Sequence, residues 1–317
     1  MTQRTHGTAA GPGAADGTGP AVVRQQPPRG EFHDVAGRRF LLHRSGTGGP
    51  AVVLLAGAGM IGLDYLNLHD RVAAFATCVV YDRGGTGWSA PAPLPRTASD
   101  VTAELHDLLR TAGVPGPYLL VGHSLGAAYA RHFAHRFPAD TAGLLLLDPF
   151  HEDMYSQAPP EVREKLELMK KAELPEATQE QIDRSREVLA RHFAAWPPDV
   201  REALAEYHLV AWRTGWEEDG NLHTVVADEL RQARELPDVP LVVLTAMGVD
   251  PTQAQLWSEA TVREMNTAKL GLHARLAASV PRGTHRVLDD AGHGWLHEER
   301  PDAVLGAIGE LLRDASR

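Results

Sequence analysis

The stretch LLVGHSLGAAYA, residues 119–130, decides how this chain is read. An apolar run ends at Gly122-His123-Ser124-Leu125-Gly126, a G-x-S-x-G pattern, and an alanine-rich segment with helical character follows at once. Small residues on either side of a serine let a strand turn sharply into a helix. That turn lifts the hydroxyl above the sheet and places it at a helix N-terminus. There the backbone N–H of Leu125 is placed to stabilise an oxyanion, so Ser124 is a candidate nucleophile rather than an incidental turn residue.

Around this turn, strand and helix patterns alternate. Upstream, EFHDVAGRRFLLHRSG (31–46) reads as a hairpin turning at Ala36-Gly37, AVVLLAG (51–57) as a buried strand, YLNLHDRVAAF (65–75) as a helix and TCVVYD (77–82) as a strand. RTASDVTAELHDLLRTAG (96–113) reads as a helix capped by Ser99 and stopped at Gly113. Downstream of the serine, LGAAYARHFAHRF (125–137) is a helix and AGLLLLD (142–148) a strand. The rhythm implies a mostly parallel sheet with helices on both faces. It breaks over residues 149–237, which are charged, helical in spacing and strand-free, and resumes with VPLVVLTA, one long helix over 250–279, THRVLDD and a final helix. The expected organisation is a tail over 1–30, a core made of 31–148 and 238–317, and a helical insertion over 149–237.

A chain of 317 residues with 43% hydrophobic content buries one large core. Its net charge of −10 argues against a nucleic-acid surface, which needs clustered Lys and Arg. The single cysteine, Cys78, sits in an apolar run, which excludes an intrachain disulfide and points to a small buried hydrophobe. Residues 1–30, rich in Gly, Ala, Thr and Pro, contain no apolar block of signal-peptide length, and no stretch reaches the ~18 apolar residues of a membrane span. The expected location is the cytoplasm, without membrane association.

A serine hydroxyl needs a base, and histidine is the expected one. Of 16 histidines, His293 in LDDAGHGWLHEERPDAV follows the last strand pattern and precedes the last helix, so it satisfies the Ser, acid, His order. His285 and His297 are less well placed. Another loop competes for attention: Gly57-Ala58-Gly59-Met60-Ile61-Gly62 fits G-x-G-x-x-G, and Asp82 lies 20 residues on, where a dinucleotide-binding turn would carry its ribose acid. Against that, a hairpin precedes the strand that leads into this loop. His132 and His135 are spaced like a metal pair but lack a third ligand, and His293 and His297 lack the glutamate of H-E-x-x-H. Trp196, Trp212, Trp216 and Trp257 suit either an apolar pocket or packing of the insertion.

Taken in order, LLAGAG, YDRGGTGWS, GHSLGAAYA and AGHGWLHEERP make the chain resemble the α/β-hydrolase superfamily from Phe32 to Leu312. The resemblance implies the α/β-hydrolase fold with a helical cap, and a serine triad of Ser124, an acid and His293. It also implies an oxyanion hole formed by the backbone N–H groups of Leu125 and Ala58. Ala56 stands where the family more often has histidine. The acid is either Asp148, in GLLLLDPFHED, which is similar to an Asp-x-x-His-x-Asp run in a bacterial subgroup, or Asp250 in the loop after LVVLTA; Asp148 is favoured.

The implied activity is hydrolysis of an ester-type bond (ester, lactone or thioester) in a small apolar acyl substrate, carboxylesterase-like, with no cofactor and no metal. Competing expectations are an acyltransferase or cyclase of the same fold, a non-catalytic ligand-binding relative, and remotely an NAD-dependent oxidoreductase. The substrate's identity and the oligomeric state are not legible in the residues.

Overall fold

Val52–Leu55, Cys78–Tyr81 and Tyr118–His123 are buried along their whole length, as strands covered on both faces of a sheet must be. The computed structural model describes residues 26–171, 176–233, 235–249 and 251–315. The tail expected over 1–30 falls largely outside these, and Asp250 falls outside them altogether.

The strands are β1 (Glu31–Val35), β2 (Arg38–Ser45), β3 (Val52–Leu55), β4 (Cys78–Tyr81), β5 (Tyr118–His123), β6 (Thr141–Leu147), β7 (Leu241–Ala246) and β8 (Gly283–Leu288). They form one sheet in the order β1-β2-β4-β3-β5-β6-β7-β8. The hairpin β1–β2 is antiparallel and joins the rest through the antiparallel pair β2–β4, while every other pairing is parallel. The α/β-hydrolase fold expected from the sequence is therefore present, and the strand order reverses direction beside β3 and β5, where ligands of open α/β sheets bind.

The helices are α1 (Leu66–Ala73), α2 (Ala98–Thr111), α3 (Leu125–Arg136), α4 (Met154–Gln157), α5 (Pro160–Lys171), α6 (Gln179–His192), α7 (Pro198–Asp219), α8 (Ala227–Gln232), α9 (Pro251–Leu256), α10 (Glu259–Ala277), α11 (Leu296–Glu299) and α12 (Pro301–Ala315). Two hydrophobic clusters cover the sheet. One packs α2, α3 and α8 against residues such as Val53, Leu120 and Leu146; the other packs α1 and α12 against Val52, Val121 and Leu145. The alternating side chains of the same strands feed both clusters. Cys78 is fully buried in the second.

Two local expectations are corrected. The cap of α2 is Thr97, whose side chain accepts from the N–H of Asp100, and Ser99 already lies inside the helix. The stretch read as one helix over 250–279 is two: Ser258, extended at ψ 153°, breaks the run and caps α10 by accepting from the N–H of Thr261. Between β6 and β7 the described residues are helices and connecting turns without a strand. A third cluster, with Phe193, Trp196, Val200 and Tyr207, packs this helical segment onto Ile61, Leu63 and Trp88. No helix among the described residues is long and apolar enough to cross a membrane.

Candidate active site

The turn from β5 to α3 holds Ser124 at φ 52°, ψ −116°, a backbone conformation that side-chain-bearing residues rarely adopt. Close packing enforces it. A Cβ on Gly126 would stand 2.1 Å from the carbonyl oxygen of Leu55, and one on Gly122 would stand 2.5 Å from that of Gly126, so neither position accepts a larger residue. The turn is pinned further where the Ser124 N–H donates to the Leu147 carbonyl at 3.1 Å.

The structure brings Ser124, His293 and Asp148 together. Ser124 Oγ lies 3.1 Å from His293 Nε2, and His293 Nδ1 lies 2.6 Å from Asp148 Oδ2. A carboxylate only accepts, so Nδ1 carries the proton and Nε2 presents its lone pair to the serine hydroxyl. Asp148 sits at φ 40° just beyond β6, 2% exposed, and its Oδ1 accepts from the N–H of Ala246 at 3.0 Å.

Sequence reasoning missed two partners of this carboxylate. Lys269 of α10 reaches Oδ2 at 2.9 Å, and His273, one turn later on the same helix, lies 3.9 Å from Oδ1. Burial by itself would raise the Asp148 pKa, but the Lys269 ammonium and the hydrogen bond from His293 outweigh it and hold the carboxyl well below the usual range. Burial pushes His273 down to about 4 against the pull of Asp148, so it is neutral, with Nε2–H donating to the Pro149 carbonyl at 2.8 Å. A lysine and a histidine four apart on a helix share one face. Nothing in the sequence tells that this face meets the end of β6.

The His293 loop is held from two sides. Glu299 accepts from the N–H of Gly292 at 2.6 Å, and His123 Nε2 donates to the His293 carbonyl at 2.8 Å. His123 Nδ1 then accepts from Tyr65 Oη at 2.8 Å, and Tyr65 Oη accepts from the N–H of Gly57 at 3.3 Å. One hydrogen-bonded chain thus ties the histidine loop to the Gly57 loop.

That loop is not a phosphate cradle. Gly59 N–H donates to Glu218 at 2.7 Å, Met60 N–H to the Gly57 carbonyl at 3.2 Å, Ile61 N–H to Asp64 at 2.8 Å, and Gly62 N–H to Asp82 Oδ1 at 2.9 Å. Asp82, buried, spends its other oxygen on the N–H of Trp88 at 2.9 Å, and burial raises its pKa to about 6. The acid 20 residues on therefore braces the loop instead of a ribose. Over 57–62 only the N–H of Ala58 has no partner among the described residues, and the same holds for Leu125 at the start of α3. A Cβ added at Gly57 would lie 3.5 Å from that of Ser124, so this loop borders the serine directly.

A cavity of about 290 Å³ opens over Ser124, Asp148 and His293. Its apolar wall comes largely from the segment between β6 and β7, including Phe150, Met154, Val162 and Leu222, and from Trp257, Met265 and Leu272 beyond it. Of the four tryptophans singled out, only Trp257 lines it. Trp196 is buried in packing with its Nε1–H on the Leu63 carbonyl, Trp216 is half-buried, and Trp212 is exposed.

The other histidines go elsewhere. His285 Nε2 meets Thr245 Oγ1 at 2.8 Å, and His297 is buried with its ring stacked on Tyr65 at 4.1 Å. His132 is buried against Thr102 at 3.0 Å, while His135 meets the Glu235 carbonyl at 3.1 Å, so the two do not converge. His43, His69 and Asp70 bring ligand atoms within 4.8 Å of one another, but His69 Nδ1 is already spent on Asp70, and none of the three lines the cavity.

Residues 52–307 match the model of the Alpha/beta hydrolase family. Among curated proteins, the chain is 36% identical over 107 residues to the uncharacterized protein YqjL of Bacillus subtilis, covering 34% of this chain and 42% of that one. It is 33% identical over 102 residues to the putative carbamate hydrolase RutD of Cronobacter sakazakii, covering 32% of this chain and 38% of that one. The chain spans less than half the length of these curated relatives.

Among solved structures it resembles a thermophilic esterase from Thermogutta terrifontis, with TM-score 0.56, 23% identity, and coverage of 90% of this chain and 98% of that one. It also resembles the enol-lactonase from Burkholderia xenovorans LB400, with TM-score 0.60, 18% identity, and coverage of 89% and 100%. At these identities the likeness is one of fold. With the family's model matched from the first parallel strand into the final helix, the protein belongs to the α/β-hydrolase family.

Proposed function

We propose that this protein is a serine hydrolase that cleaves an ester-type bond (ester, lactone or thioester) of a small, largely apolar substrate through an acyl-enzyme on Ser124. The observation that carries the reading is the hydrogen-bonded series Ser124–His293–Asp148 at the cavity floor. Ser124 Oγ attacks the carbonyl carbon while its proton passes to His293 Nε2, and Asp148 holds the resulting imidazolium. The oxyanion takes the two unspent donors, the N–H groups of Leu125 and Ala58. His293 then protonates the leaving alcohol or thiol. Water, deprotonated by the same nitrogen, attacks the acyl carbon, releases the acid and returns Ser124 to its hydroxyl form.

In this reading the helical segment 149–237 acts as a cap that shapes the pocket, since much of the apolar wall comes from it. A serine rather than a carboxylate nucleophile suits acyl rather than alkyl transfer. The carbamate hydrolase, esterase and lactonase among the similar proteins point the same way, since each name describes chemistry at an acyl carbonyl.

A fluorophosphonate is expected to label the folded protein at Ser124, and Ser124→Ala is expected to lose both the label and about 10⁶-fold in kcat on p-nitrophenyl esters. A folded wild type that resists labelling would overturn the reading. Release of free acid that continues undiminished when alcohols or amines are added separates a hydrolase from an acyltransferase.

A further inference from the structure

The charged groups around the cavity pair off, with one left over. Asp148 is matched by Lys269 at 2.9 Å and by His293 at 2.6 Å. Asp219, the last residue of α7, lines the same cavity as Ser124 and His293, and its side chain has no hydrogen-bond or ion-pair partner among the described residues. Asp219 is exposed, and it contributes to the lining of that cavity.

The position of this carboxyl is not incidental. The preceding residue, Glu218, is 2% exposed and gripped by Arg83 through Nε at 2.9 Å and Nη2 at 2.9 Å, and it also accepts from the N–H of Gly59. Gly215, one turn earlier, touches the same loop so closely that a Cβ on Gly59 would stand 3.1 Å from its Cα. The last turn of α7 is thus clamped to the loop that borders Ser124, and Asp219 is held in the wall of the cavity that Ser124 and His293 also line.

A carboxylate there repels both an anionic substrate and the developing oxyanion, unless a proton or a substrate cation neutralises it. Burial and the adjacent Glu218 charge raise its pKa to about 7, so the isolated pocket holds this charge reluctantly. An apolar pocket with one uncompensated acceptor selects for a ligand that brings a donor, because a buried polar group left unpaired by the wrong ligand costs far more than a misfitted methylene.

We propose that Asp219 is the substrate-selecting carboxyl of this pocket, which takes acyl substrates bearing a protonated amine or a comparable hydrogen-bond donor on an otherwise apolar chain. This rests on the acyl-enzyme reading above and narrows its substrate class. The carboxyl binds substrate and takes no part in bond making.

The test is a series of p-nitrophenyl ω-aminoalkanoates of rising chain length, each paired with its methyl-terminated isostere and its carboxylate counterpart. The wild type is expected to prefer the ammonium ester over the methyl ester at the matching chain length, and to reject the carboxylate. In Asp219→Asn the ammonium-to-methyl ratio of kcat/KM is expected to fall about 30-fold, chiefly through KM. Competition in the wild type by short alkylammonium ions, but not by the corresponding alcohols, gives a readout that needs no variant. A labelled, active wild type whose ratio stays near one at every chain length, or an equal fall for both members of each pair in Asp219→Asn, would overturn the assignment of Asp219 alone. Failure of wild-type labelling by fluorophosphonate would overturn the acyl-enzyme reading and this inference with it.

Discussion

Asp148 leaves β6 at φ 40° with both carboxylate oxygens engaged: Oδ1 by the N–H of Ala246, Oδ2 by His293 and Lys269. An asparagine in its place keeps one acceptor but turns an NH₂ group toward donors that need a lone pair. Asp148→Asn is therefore expected to lower kcat by about 10⁴-fold, as loss of the orienting acid does when it leaves the imidazole in the wrong tautomer. Steady-state kinetics beside circular dichroism, with Asp250→Asn measured in parallel, checks this. An Asp250→Asn enzyme that loses more activity than Asp148→Asn would show the acid to be misassigned. The run DPFHED suggested Asp148 in the sequence, but its partners on α10, more than a hundred residues away, could not be seen there.

At the scale of elements, the Arg83 guanidinium joins three pieces of chain. It accepts no bonds and donates five ways: to both oxygens of Glu218 on α7, to the Ala56 carbonyl at 2.7 Å, to the Gly57 carbonyl at 2.9 Å and to the Met60 carbonyl at 3.4 Å. Arg83 thereby anchors the Ala56-Gly57 stretch, which offers no polar side chain of its own. Arg83→Met would leave Glu218 buried without its counter-charge and remove a donor from the Ala56, Gly57 and Met60 carbonyls. The expected cost is about 3–5 kcal/mol in urea denaturation, with slower fluorophosphonate labelling as the Gly57 loop loosens. The double variant Arg83→Met/Glu218→Met is expected to recover much of the stability, since it removes the orphaned charge, but not the labelling rate. If it recovers neither, the clamp is not what holds the two elements together.

For the whole molecule, the buried histidines set the response to acid. Burial lowers His273 to about 4 and His297 to about 3, against an ordinary value of 6.5. Both are neutral in the fold and take up protons on unfolding. Their contribution is complete above about pH 6.5 and is lost as the pH falls toward the folded values. Asp82 works in the opposite sense: raised to about 6, its contribution is present below its unfolded value of 3.8 and lost as the pH rises through about 6. Because these arms oppose one another, the clean measurement is a difference. The stability of wild type relative to His297→Asn is expected to shrink by about 2 kcal/mol between about pH 7 and about pH 5 in urea titrations. A pH-independent difference would mean that His297 is not held neutral by its burial.

Period and punctuation in the residues already determined the alternation of buried strands and helices, the hairpin at Ala36-Gly37, the serine turn and the histidine loop. These are local consequences of side-chain size, spacing and backbone freedom. Helix breaks were less legible: Thr97 rather than Ser99 caps α2, and Ser258 splits a continuous-looking run, because whether a hydroxyl caps or merely rides a helix depends on where the chain is turned by its neighbours. What only the tertiary structure decided was the partnership of distant groups. GAGMIG and Asp82 match a nucleotide-binding pattern residue for residue; the preceding hairpin speaks against that reading in the sequence, and the destinations of the loop's hydrogen bonds, to Glu218, Asp64 and Asp82 within the protein, exclude it. Lys269 on Asp148, Arg83 on Glu218 and the unpaired Asp219 in the pocket are likewise invisible to spacing. Charge pairing is a property of proximity after folding, and proximity between residues a hundred positions apart is set by how helices pack on the sheet.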